Sequence, residues 1–331
     1  MHLLLESANY KPNVMKDIQW EDIHIISRHS NMDEEGISKI FAENIYNNKE
    51  TWQKFLRLFF ITLGVGFTVS GVIFFFAYNW ADLNKFAKIG LTELLIVATT
   101  SVVLFAKTSK TTRNIILTGS SVLVGALFAV YGQIYQTGAN AYDFFLGWTL
   151  FIALWVIVSE FAPLWLIFLL LINTTFILYT QQVAKDWSEV FICTILFLIN
   201  AAAAISGIFI AESKKTDVPR WFLNIVSLAA ISFATIGICI GIFDSYDTIF
   251  PFLGISTIIL YVLGIWHSLK EKNGFYLAVI PFSLIIITST LLFESLQDEA
   301  SFLLVSLFII VSITLVIWNL ITFQKKWKNE K

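Results

Sequence analysis

The chain has 331 residues, of which 57% are hydrophobic and only 14% charged, and its net charge is −2. So few charges cannot cover a water-facing surface, which excludes a soluble globular protein, and the near-neutral balance argues against a nucleic-acid binder. The 31 Phe and 11 Trp, set against 5 Pro, exclude disordered and fibrous classes. With a mean hydropathy of +0.74, the class that fits is an all-α polytopic membrane protein in a lipid bilayer.

The first segment, residues 1–54, is the only sizeable aqueous stretch. Leu3-Leu4-Leu5 is followed at once by Glu6 and is too short for a signal peptide, so the first span is expected to act as the insertion signal. Trp20, Ile23 and Ile26 suggest one helix. Asn31 is a plausible cap for a second, with Asp33, Glu34 and Glu35 in its first turn and Ile37, Ile40, Phe41 and Ile45 at helical spacing. A small helical hairpin is predicted, docked on the membrane face or on a protein partner and too small for a core of its own.

Crossing roughly 30 Å of hydrocarbon takes about 20 apolar residues in a helix. Ten such runs follow, at about 57–77, 88–106, 114–134, 144–159, 162–180, 188–211, 221–243, 249–267, 274–293 and 301–323. None alternates every second residue as a barrel strand would, and a lone lipid-exposed strand would leave its backbone unpaired. The hairpin Ser159-Glu160-Phe161-Ala162-Pro163 has no basic residue, yet residues 144–180 are nearly twice as long as one crossing requires. Two short spans are predicted there.

Lys and Arg concentrate on the cytoplasmic side. With the N-terminus inside, nineteen of the 22 basic residues fall in cytoplasmic segments, and only Lys85, Lys88 and Lys185 lie opposite. Both termini are then cytoplasmic. Merging 144–180 into one span would move nine positive charges to the wrong side. Trp165, Trp221, Trp266 and Trp318 fall near the inner interface, and Trp80, Trp148 and Trp187 near the outer one.

Ionisable groups within a span are costly and become functional candidates. Glu93 is the one acid well inside a span, roughly 8 Å below the outer interface at 1.5 Å per residue. Thr92, Thr99 and Thr100 share its arc of about 120° on the second span. On the third span Thr118, Ser121, Gly125, Ala129, Gly132 and Gln136 share one face, with Gln133 at its edge. Small residues at that spacing suggest a packing seam, but glutamines at its outer end are not required by packing.

Asn79, Trp80, Asp82, Glu93, Gln133, Gln136, Asp143 and Trp148 all fall near the outer side of the first four spans. They could surround one outward-facing polar pocket for a small solute. The structural alternative is that Glu93 is bonded to a neighbouring helix and that Trp80 and Trp148 are interface anchors. Asn173 and Asn200 suit interhelical hydrogen bonds, and Gly237-Ile238-Cys239-Ile240-Gly241 is a GxxxG that points weakly to close packing. Cys193 and Cys239 lie in apolar runs, so neither a disulfide framework nor a cysteine metal site is predicted, and no cofactor motif is present.

The Phe76-Ala77-Tyr78-Asn79-Trp80 and Tyr131-Gly132-Gln133-Ile134-Tyr135-Gln136 stretches, followed by Asp143-Phe144-Phe145 and Trp148, resemble the bacterial membrane proteins grouped as domain of unknown function 2157. The resemblance covers roughly residues 20 to 180. It implies a bacterial inner-membrane location, draws attention to Asn79, Trp80, Gly132, Gln133 and Gln136, and implies no reaction, substrate or partner. The chain divides accordingly into the hairpin at 1–54, a family-like five-span region at 55–180 and a five-span region of unassigned role at 181–331.

Three functional readings follow. A transporter or solute-binding protein fits ten spans and an outward polar cluster, although proton-driven machinery usually has more intramembrane charge. A membrane enzyme fits poorly. His2, His24, His29 and His267 form no metal or nucleophile set, and only Glu93 and Asp143 offer a carboxylate pair. A scaffold or sensor would act through the N-terminal hairpin. The reading favoured is a non-enzymatic membrane protein with an outward polar pocket.

Overall fold

A computed structural model of the chain describes residues 49–78, 81–135, 138, 140–213, 218–244, 247–296 and 300–329. The predicted hairpin at 1–54 lies outside them except for its last residues. Among the described residues all regular structure is helical. The ten helices are α1 (Lys49–Tyr78), α2 (Lys85–Phe105), α3 (Lys110–Tyr135), α4 (Ala141–Ser159), α5 (Ala162–Gln182), α6 (Glu189–Glu212), α7 (Arg220–Phe243), α8 (Phe250–Lys270), α9 (Gly274–Leu296) and α10 (Ala300–Asn329). Each is long and apolar enough to cross a membrane. Both α1 and α10 outrun their predicted spans, because the hydropathy pattern marks only the part of a helix that lipid surrounds.

Large apolar side chains point outward all round the bundle: Phe67, Phe74, Leu104 and Leu303 are each 70% or more exposed. A surface so apolar is suited to lipid rather than water. Interior positions include, besides apolar residues such as Ile152 and Phe197, small and polar ones such as Ser120, Ser121, Thr194 and Asn200.

The chain breaks between α4 and α5 where two spans were predicted. Glu160 takes a left-handed backbone with φ 49°, and Pro163 stands in the first turn of α5, where its missing N–H costs nothing. From α3, the buried Asn114 donates to the Ser159 carbonyl at 3.1 Å, satisfying a helix-end acceptor. Lys110 pairs with Glu160 at 3.1 Å across the same end, an exposed contact of small energetic weight.

Within the first five helices, α3 is the hub, packing on α1, α2 and α4, while α5 packs on α4. Val124, Ile152, Val156 and Leu164 are fully buried at its centre. In the last five, α7 is the hub for α6, α8 and α9, and α10 leans on α9. The Gly237–Gly241 pair is used: a Cβ at Gly237 would come within 2.7 Å of Cys193 on α6 and 2.8 Å of Leu253 on α8.

Helix α5 joins the two groups by packing on α6 and α7. Leu169, Ala204, Phe222 and Val226 form the apolar part of that joint. Its polar part is a reciprocal amide pair. Asn173 donates to Asn200 at 3.2 Å and Asn200 donates back at 2.8 Å, and each amide also donates to the carbonyl one turn earlier. The predicted interhelical role of both asparagines is therefore realised, and with each other.

Candidate functional site

The small-residue face of α3 divides into two parts with different uses. Deep in the bundle it packs. Ser121 and Gly125 are buried, and the Trp148 ring lies where a Cβ on Gly125 would come within 2.6 Å. The indole N–H of Trp148 donates to the Ser121 carbonyl at 2.7 Å. Toward the end of the helix the same face opens: Ala129 and Gly132 are exposed, and nothing lies within 4 Å of a Cβ built on Gly132.

Between that open stretch and the start of α4 is a cavity of about 680 Å³, whose polar lining includes Tyr131, Gln133, Tyr135, Asn140 and Asp143. Asp143 is held in place by a capping arrangement in which the Asn140 backbone N–H donates to its Oδ2 at 3.1 Å. Aspartate in a first turn also suits the positive end of the helix dipole. Tyr131 and Tyr135, one turn apart, stack with ring centroids 5.6 Å from each other. The neighbouring Tyr142 backbone N–H donates to Gln182 at 3.1 Å, tying the start of α4 to the end of α5.

Glu93 lies on α2 at the edge of this region and is exposed. The Tyr131 hydroxyl donates to its Oε1 at 3.5 Å, linking α2 to the cavity wall. Of its threonine neighbours, Thr92 and Thr99 donate to backbone carbonyls one turn back, at 2.8 Å each, while the Thr100 hydroxyl is buried with no partner among the described residues. Asp82 is exposed in the turn before α2 and is not part of the lining. Trp148 sits in the packed layer beneath the cavity. Asn79, Trp80 and Gln136 lie outside the described residues.

Of the predicted pocket residues, then, Gln133 and Asp143 share one cavity and Glu93 reaches it through Tyr131. The two tyrosines and Asn140 are lining residues that the sequence reading did not single out as ligands. The spacing of Tyr131 and Tyr135, one turn apart and flanking Gln133, is the signal that could have found them. The two amides and two phenols of the lining both donate and accept, whereas the Asp143 carboxylate only accepts and is the one charge among the described lining residues, so the balance leans toward a solute that brings hydrogen-bond donors. Among the described residues no group of three His, Cys, Asp or Glu is placed to hold a metal ion.

No curated protein and no solved structure matches the chain. Residues 20–165, which reach from the N-terminal segment through α4 into the first turn of α5 and so contain the whole cavity, match the family model described as Predicted membrane protein (DUF2157).

Proposed function

We propose that the chain is a non-enzymatic protein of a bacterial inner membrane that holds a small, donor-rich polar solute at the non-cytoplasmic end of its family-like half. The cavity between α3 and α4 carries this reading. Its volume of about 680 Å³ is within the range of small-molecule sites, and Gln133 and Asp143 meet in it. Gln133 is exposed there and makes no hydrogen bond to another described residue, so its amide is available to a ligand. Residues 55–180 are read as the solute-holding unit.

Thermal unfolding of the purified full chain tests the site with putrescine, glucose and glutamine as cationic, neutral and zwitterionic donors. At least one is expected to raise Tm, and Gln133→Ala should abolish the rise while leaving the ligand-free Tm within a degree or two. No rise with any of the three, or a rise that survives Gln133→Ala, counts against the reading.

The outward orientation rests on the asymmetry of Lys and Arg. A cysteine at Asn140 should be labelled by an impermeant maleimide in intact spheroplasts, and one at Ser109 only after lysis. Cys193 is buried and Cys239 half-buried, so the background is low. The reverse pattern overturns the orientation.

A further inference from the structure

In the last five helices, α6 and α8 both pack on α7 but touch each other only sparsely. Small residues keep the wedge between them open: Ala201 and Ala204 on α6, Ala230 on α7 and Gly264 on α8 line an apolar cavity of about 330 Å³. Its rim is Ile205, Phe209, Leu263 and Trp266, each more than half exposed. The slot thus opens sideways, toward the hydrocarbon around the bundle.

Toward the end that carries Glu212, Arg220 and Lys270, the slot runs into a second cavity of about 540 Å³. Ile208, Glu212, His267 and Tyr276 line both. The second cavity is polar, with Arg220, Lys270, Glu212 and Glu271 in its walls. Lys270 Nζ lies 3.9 Å from Glu212 Oε1 and 5.5 Å from the centre of the Trp266 ring. Among the described residues of this lining, two cations and two carboxylates at one level complement a zwitterion better than a net anion.

The depth is informative as well. At 1.5 Å per residue, the run from Lys270 to Tyr261 on α8 is about 13 Å and that from Glu212 to Ala201 on α6 about 16 Å. Both are close to half of the roughly 30 Å hydrocarbon thickness, the length available to one leaflet. Between polar mouth and apolar slot stand two buried hydroxyls, Ser227 and Tyr276, 2.9 Å apart. One of their two protons makes that bond, and the other has no acceptor among the described residues.

We propose that this compound cavity is a binding site for one molecule of a zwitterionic aminophospholipid of the phosphatidylethanolamine type. The phosphate sits between Arg220 and Lys270, as expected of a basic site between membrane helices. The primary ammonium meets Glu212 and Glu271. An ester carbonyl accepts from the Ser227–Tyr276 pair, and one acyl chain occupies the slot between α6 and α8.

Native mass spectrometry of the delipidated full chain, titrated with palmitoyl-oleoyl phosphatidylethanolamine and separately with the matching phosphatidylglycerol, tests this. A single phosphatidylethanolamine adduct is expected to form at concentrations at least tenfold lower than any phosphatidylglycerol adduct. Ile208→Trp, which fills the slot, should weaken the phosphatidylethanolamine adduct tenfold or more. Should that variant fail to fold, Arg220→Ala and Glu212→Gln, both at exposed positions, take its place; each should weaken the adduct at least threefold, whereas Gln133→Ala in the other half should not. Equal binding of the two lipids overturns the headgroup assignment and with it the proposal. So does an adduct that none of the three cavity variants weakens.

Discussion

Replacing Trp148 by alanine should lower the stability of the folded bundle by about 3–5 kcal/mol, the range for removing a packed indole. The ring fills the hollow that Gly125 leaves on α3 and sits among Phe144 and Phe145 in the aromatic layer of α4. Its N–H crosses to the Ser121 carbonyl at 2.7 Å. Trp148→Phe isolates the polar contribution. It retains much of the apolar contact, loses the indole donor and should cost about 1 kcal/mol on that account, besides the volume lost. Steric-trap unfolding in bicelles would measure both. A loss below about 1 kcal/mol for Trp148→Ala would mean that the α3–α4 interface closes without the ring, and Trp148 would then return to consideration as a ligand for the cavity above it.

Gly237→Val should destabilise the last five helices by about 1–3 kcal/mol, the usual cost of overpacking. The neighbour at 2.7 Å is the Cβ of Cys193, which is fixed to the α6 backbone and cannot rotate away. Only the second neighbour, Leu253 Cδ2 at 2.8 Å, is the end of a flexible side chain. Leu253→Ala introduced with Gly237→Val should therefore rescue little, because α6 must still withdraw from α7. Gly254→Ala is the matching control: no atom lies within 4 Å of its Cβ position, and the change should be neutral or stabilising by up to about 1 kcal/mol. The same bicelle assay, with unfolding probed in α6–α9, separates the two. Equal stability of Gly237→Val and Gly254→Ala would show that α6 and α7 are not in close contact at Gly237.

These two sites also illustrate what can be read from a membrane sequence. The ten spans were legible because lipid imposes the apolar run directly on each segment. The break at 159–163 was legible from the length of residues 144–180 and from the placement of basic residues in distant loops. Its closure by Asn114 was not, since that contact joins residues 45 positions apart. Gly237 was marked in the sequence only by its weak GxxxG spacing, and it is the helix opposite each glycine that separates the crowded Gly237 from the open Gly254.

The candidate site followed the same division. Gln133 and Asp143 meet because a short turn separates them, which sequence order suggests. The link from Glu93 to Tyr131 spans 38 positions between two helices, and no local pattern announces it. In the second half the hydroxyls of Thr235, Ser283 and Tyr261 form a buried chain with 2.6 Å links, built from common residues whose partners are far apart in sequence. Of the two predicted amide roles, both were legible because an asparagine deep in a span has few other satisfactory arrangements.

The peripheral placement of α1 bears on how the protein is built. Only 6% of its apolar window is buried, at a mean hydropathy of 2.2, against 44% for α3. During synthesis α1 enters the bilayer before its partner α3 exists, so it must persist for a time without that partner, and its nearly all-apolar surface suits it to that wait. The helix that carries Asn114, Ser120 and Ser121 emerges when α2 is already present and α4 is next to follow. Assembly by independent insertion and later docking thus meets a chain whose least self-sufficient helix is never the one required to stand alone.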